Sequence, residues 1–101
     1  MPIEVVDAPQ RTRYEISVDG EVVGFADYRD RDGTRAITHT EIDPRRRGGA
    51  LGRALVAGAL RDIRARGLSV LPLCSFVGAY LARHPEERDL LPGARRTTGD
   101  P

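Results

Sequence analysis

Between Asp43 and Arg53 the chain reads Asp-Pro-Arg-Arg-Arg-Gly-Gly-Ala-Leu-Gly-Arg, a combination suited to holding phosphate. Glycines at 48, 49 and 52 remove side chains that would keep an anion off the backbone, and a helix starting there presents unpaired N–H groups carrying roughly half a positive charge. Just upstream, His39 and Glu41 share one face of a strand-like stretch by period-two alternation, and either can take up a proton. Taken alone, each is equally well an exposed strand residue. Cys74 closes an apolar run at the mouth of a second helix, where N–H groups lower a thiol pKa and make it a nucleophile. A free cysteine also packs commonly as a small buried hydrophobe, and the sequence leaves both roles open.

The elements that must position these residues can be read from periodicity. Tyr14, Ile16 and Val18 alternate along Arg13 to Val18, and Asp19-Gly20 is a strong hairpin signal leading to a return strand from Val22 to Tyr28. A second turn over Arg29 to Gly33 leads to a third strand from about Thr34 to Ile42. Three strands joined by short turns predict an antiparallel meander. Beyond the glycine loop, Leu51, Leu55, Val56, Ala59, Leu60 and Ile63 recur at helical spacing, and Gly67 supplies a stop. Leu68 to Leu73 predicts a strand buried on both faces and, because a helix intervenes, parallel to the third strand. Pro72 should loosen its pairing. A short helix over Ser75 to Arg83 is expected to turn Phe76, Ala79 and Tyr80 inward and to end at His84-Pro85.

The fold class is therefore α+β in a single domain spanning residues 1–101, with an ordered core of about 12–91 and a frayed tail from Pro92 to Pro101. All 16 basic residues are arginine and 15 acids offset them, leaving a net charge of +1. That balance does not favour a nucleic-acid partner, although Arg45 to Arg47 on an RNA backbone is a reading to set aside by its salt dependence. One cysteine and two distant histidines predict no internal disulfide and no metal site. No run has the length of a membrane span or the layout of a signal peptide, so a cytoplasmic protein with no membrane partner is expected. Asp30, Asp32, Glu86 and Glu87 read as solvated surface.

This order of strand, arginine-glycine loop, helix, buried strand and short helix resembles the coenzyme-binding half of the GCN5-related N-acetyltransferases. The segments Gly24-Phe25-Ala26-Asp27-Tyr28, Thr38-His39-Thr40-Glu41, Arg53-Ala54-Leu55-Val56 and Pro72-Leu73-Cys74-Ser75-Phe76-Val77 narrow the likeness. With Tyr80 and His84-Pro85-Glu86, they are similar to the minimal acetyltransferase-like family of about one hundred residues. Aligned on the superfamily loop, Arg47 takes the first position and Gly52 the last, while Ala50 stands where an inner glycine is usual.

The resemblance implies a splayed pair of parallel strands, Thr38 to Ile42 and Leu68 to Leu73, that admits a pantetheine arm paired to the backbone at Thr40 and Ile42. It implies a pyrophosphate held by Arg47, Gly48, Gly49, Ala50, Leu51, Gly52 and Arg53. Acetyl-coenzyme A would be the co-substrate, and a small-molecule or peptide amine the acceptor. His39 or Glu41 would take the amine proton, Tyr80 would protonate the leaving thiolate, and Cys74 offers a covalent route. A non-catalytic acyl-coenzyme A-binding module is the alternative to an enzyme.

Overall fold

The structure is a computed structural model and describes residues 2–46 and 48–94. Five strands form one sheet in sequence order: β1 (Ile3–Ala8), β2 (Arg13–Val18), β3 (Glu21–Arg31), β4 (Thr34–Ile42) and β5 (Ser69–Pro72). The first four are antiparallel and β5 runs parallel to β4. Helix α1 (Ala50–Ala65) connects β4 to β5, and α2 (Ser75–Arg83) follows.

The β2–β3 and β3–β4 hairpins turn on Asp-Gly. Asp19 and Gly20 have φ of 51° and 84°, and Asp32 and Gly33 have 51° and 79°, the paired positive values of a type I′ turn. Helix α1 ends where Gly67, at φ 70°, donates its N–H to Arg64 while the N–H of Leu68 reaches Ile63. That is a Schellman motif, which satisfies two terminal carbonyls and points the chain back into the sheet.

The predicted three-stranded meander is a four-stranded one, because Ile3–Ala8 pairs along β2. A polar residue at a core position hid this strand: Asp7 accepts a 2.6 Å hydrogen bond from the Tyr28 hydroxyl. Val5 shows how closely β1 packs on α1, since a methyl at Gly58 would come within 2.6 Å of it.

Leu55, Val56, Ala59, Leu60 and Ile63 of α1 meet Tyr14, Ile16, Tyr28, Ile37 and Val70 of the sheet, with Val77 and Leu81 of α2 closing the same core. Both helices thus cover one sheet face and leave the other open. Two expectations are corrected by this. β5 is buried on one face only, with Val70 enclosed and Leu71 and Leu73 exposed. In α2 the inward residues are Val77 and Leu81, whereas Phe76 and Ala79 are exposed and Tyr80 is half-buried.

At the end of the core away from the glycine loop lies a buried polar network. The Arg35 guanidinium donates to both Asp30 oxygens at 2.7 Å and to the Tyr14 hydroxyl at 2.8 Å, and it lies 3.9 Å from the centre of the Tyr28 ring. Tyr14 in turn donates to Asp62 at 2.7 Å, which also accepts from Arg66 at 2.7 Å. Asp30 is therefore no idle surface carboxylate; the Arg35 hydrogen bonds hold it below the usual carboxylate range although burial opposes them. Glu87 is likewise engaged, clamping Arg64 together with Asp89. Burial and the Asp7 hydrogen bond push the Tyr28 phenol up to about 12. The network ties β1, β2, β3, β4 and α1 together, fixing the strand and helix whose opposite ends form the site.

Candidate functional site

The parallel ladder between β4 and β5 runs from Thr34 opposite Ser69 to Ile37 opposite Pro72 and stops. Its last carbonyl, that of Ile37, accepts from both Leu73 N–H at 3.1 Å and Cys74 N–H at 3.0 Å. Beyond it, residues 38–42 of β4 have no β5 partner. The expectation that Pro72 loosens the pairing is corrected: Ser69 and Leu73 give their N–H groups to Gly33 and Ile37 of β4, so position 72 faces the outer edge of the sheet, where a missing N–H costs no ladder bond. The divergence lies in β4, where the β3–β4 register passes from Tyr28 opposite Ile37 to Asp27 opposite His39, leaving Thr38 as an extra residue. Such a bulge bends its strand and raises its twist.

The gap opens into a groove of about 510 Å³ on the helical side of the sheet. Thr40 and Ile42 form one wall, Phe76 the other, and Leu55 the apolar floor; Glu41 also borders it. Its far end is the glycine loop, with Gly48, Gly49, Gly52 and Arg46.

That loop has the character expected of an anion site. Gly48 and Gly49 have φ of 134° and 86°, values that exclude most side chains. Gly49 caps α1 without any side-chain cap, and the first helical bond runs from Arg53 N–H to the Gly49 carbonyl at 2.9 Å. The N–H groups of Ala50, Leu51 and Gly52 therefore precede the helical ladder and are free to meet a ligand. Arg53 can contribute only through its guanidinium, which folds so close to the loop that a methyl at Gly49 would lie 2.8 Å from it. Ala50 is helical and is not among the positive-φ residues, so the backbone accommodates its methyl where the family pattern has glycine.

Arg47 lies outside the described residues. Of its neighbours, Arg45 is tied to Asp43 by hydrogen bonds at 2.9 and 3.2 Å, while the Arg46 guanidinium has, among the described residues, only a 3.6 Å approach to Glu21, and it borders the groove. Arg46 borders the groove as one of the three arginines read as a phosphate contact, whereas Phe76, read as an inward-packing residue of α2, is a groove wall instead.

Strand register divides the remaining candidates between two sheet faces. Thr40 and Ile42 stand opposite Ala26 and Gly24 and face α1, whereas His39 and Glu41 stand opposite Asp27 and Phe25 and project from the open face. There His39 Nε2 and Glu41 Oε1 are 3.1 Å apart, both more than half exposed. The His39 ring packs 6.1 Å from Phe25, over which Arg13 stacks at 4.5 Å. The His39 and Glu41 side chains thus project from the side of β4 opposite the groove, although Glu41 also borders the groove.

Cys74 lies at that gap. Its Sγ is 3.3 Å from the Thr40 hydroxyl, and it occupies the N-cap of α2. Burial works against the thiolate, but hydrogen bonds from the Thr40 hydroxyl and from the N–H groups of Phe76 and Val77 outweigh it and hold the thiol below its ordinary pKa. Tyr80 is placed elsewhere. Its ring stacks on His84 at 3.9 Å, His84 Nδ1 donates to its carbonyl at 2.9 Å, and it does not line the groove. Burial, with Glu87 and Glu86 nearby, raises its phenol pKa. Among the described residues no cluster of His, Cys, Asp or Glu is arranged to hold a metal ion, and no helix is long and apolar enough to cross a membrane.

The chain belongs to the GCN5-related N-acetyl-transferase family, whose model matches residues 13–90. Its fold is similar to the solution structure of a GCN5-like candidate N-acetyltransferase from Staphylococcus aureus, with a TM-score of 0.67 at 22% identity over 89% of this chain and 88% of that one. No curated protein matches it.

Proposed function

We propose that this protein is an acetyl-coenzyme A-dependent N-acetyltransferase that transfers the acetyl group to a small-molecule or peptide amine within a ternary complex, in the cytoplasm. The observation that carries this is the continuity of the site: a split between β4 and β5 leads along one groove to free N–H groups at the start of α1. Diphosphate suits that end, because three unsatisfied donors, Arg46 and the Arg53 guanidinium converge there. Thr40, Ile42 and Phe76 suit an extended, partly apolar arm. The thioester would then lie at the gap beside Thr38 and Cys74.

In the reaction the amine nitrogen's lone pair forms a bond to the thioester carbonyl carbon. As the tetrahedral adduct collapses, the C–S bond breaks and its electron pair leaves on sulfur. The nitrogen must lose a proton, which the His39–Glu41 pair on the open face can accept directly or through water. The departing thiolate takes up a proton from water at the gap, and the proton held by the His39–Glu41 pair returns to solvent, so the reaction balances to the amide and the free thiol.

The test is release of free thiol from acetyl-coenzyme A across a panel of amines, alongside calorimetric binding. Amine-dependent turnover supports a transferase. Tight binding with no turnover supports a non-catalytic acyl-coenzyme A-binding module instead.

A further inference from the structure

The open sheet face carries a second cavity, of about 860 Å³, on the opposite side of the β4 bulge from the groove. Its lining includes Thr12, Asp27, Arg29, Arg31 and Thr38, together with Tyr28 and Asp30, whose side chains are engaged with Asp7 and Arg35. Tyr28 is buried in the core, so by alternation Asp27, Arg29 and Arg31 all project outward from β3. Asp27 stands directly opposite His39, which places a carboxylate beside the proton-accepting pair. Arg29 follows two residues along the same face, about 7 Å away.

These charges are not used by the fold. Among the described residues the Asp27 carboxylate and the Arg29 guanidinium have no ion-pair or hydrogen-bond partner, in contrast to Asp30, Arg35, Asp62 and Arg66 on the core side. Arg31 has only a 3.7 Å approach to Asp32, both groups being almost fully exposed. A carboxylate next to the acid–base pair, then one or two arginines at fixed spacing, forms a recognition array for a ligand of two charges. An ammonium would meet Asp27 and His39, and an anion would meet Arg29.

We propose that the acceptor is an amine that also carries a carboxylate or a phosphate, bound in this cavity with its amine toward Asp27 and its anion on Arg29. The proposal rests on the transferase reading above and adds the class of substrate. Coenzyme on the helical face and acceptor on the open face would meet at the split between β4 and β5.

The experiment compares 4-aminobutyrate, 3-aminopropyl phosphate and butylamine as acceptors, following thiol release from acetyl-coenzyme A. KM for the two anionic amines should be about tenfold or more below that for butylamine, as expected of charge-assisted contacts. Whichever of the two is lower tells whether the cavity takes carboxylate or phosphate. Arg29→Ala should bring the ratio of KM values toward one, Arg29→Lys should keep part of it, and Arg83→Ala, a surface change at the end of α2, should keep it all. Equal KM for charged and neutral amines, or a preference untouched by Arg29→Ala, overturns the acceptor proposal and leaves the transferase standing. Coenzyme binding with no turnover of any amine removes the transferase itself, and the acceptor site with it.

Discussion

Replacing Gly52 with alanine should separate the stability of this protein from its coenzyme affinity. Gly52 lies in the first turn of α1, where alanine has the better helix propensity by up to about 1 kcal/mol. Its methyl, however, would sit 2.7 Å from Phe76 Cζ and 3.2 Å from Cε2, where ordinary contact begins at 3.4 Å. The Phe76 ring is 39% exposed and free to swing, so the fold need not yield. The space open to it is the groove between Gly52 and Thr40. A ring in that space blocks the approach of a phosphate to the Gly52 N–H. One charge-assisted hydrogen bond contributes about 1.5–3 kcal/mol, so affinity should fall roughly 10- to 150-fold. Calorimetry with acetyl-coenzyme A and a thermal melt read the two effects. An unchanged Kd would refute the placement of the diphosphate, and a Tm lowered by more than about 8 °C would show that Phe76 cannot move.

Further outcomes follow from the same geometry. Glu41→Gln and His39→Gln should each lower kcat by about 10²-fold or more if the pair accepts the amine proton, and kcat within threefold of the original in both would remove it from the reaction. Incubation with acetyl-coenzyme A should leave the intact mass unchanged and Cys74→Ala should keep turnover; an acetylated intermediate that disappears in Cys74→Ala would replace the ternary complex by a covalent route. Tyr14→Phe, which leaves Arg35 and Asp62 without their shared hydroxyl, should destabilise the fold by about 1–3 kcal/mol in urea denaturation, and a change below about 0.5 kcal/mol would mean water replaces it. Tyr28 keeps its proton in the folded state to about 12, whereas the unfolded phenol loses it near 10. Stability from this group is therefore complete below about pH 10 and declines as pH rises through the folded value, a decline that Tyr28→Phe should flatten.

The sequence carried much of this because hairpins and helix ends are written in local chemistry. Asp-Gly at 19–20 and 32–33 sets two turns, Gly67 ends α1, and the spacing of Leu55, Val56, Ala59, Leu60 and Ile63 gives its buried face. The loop was legible for the same reason, since Gly48 and Gly49 adopt backbone angles few other residues tolerate. Features that depend on distant partners were not. Asp7 and Arg35 look like surface residues until Tyr14, Tyr28 and Asp30 are seen to satisfy them, and so β1 was missed. The bulge at Thr38 is a property of register between two strands and leaves no mark on either one alone. His39 and Glu41 do share a face, as alternation required, but only pairing with Asp27 and Phe25 shows that it is the face away from the groove. Tyr80 enters by resemblance rather than by its own surroundings, which are the His84 ring with Glu86 and Glu87 nearby.

The most direct measurement is an amide NMR titration with acetyl-coenzyme A, read residue by residue. Saturable shifts should concentrate at Gly48, Gly49, Ala50, Leu51 and Gly52 and along Thr40 and Ile42, with β1 and the Arg35 network unmoved. Saturation with those amides silent, or with shifts confined to another surface, would contradict the claim that this loop and this split strand pair hold the coenzyme.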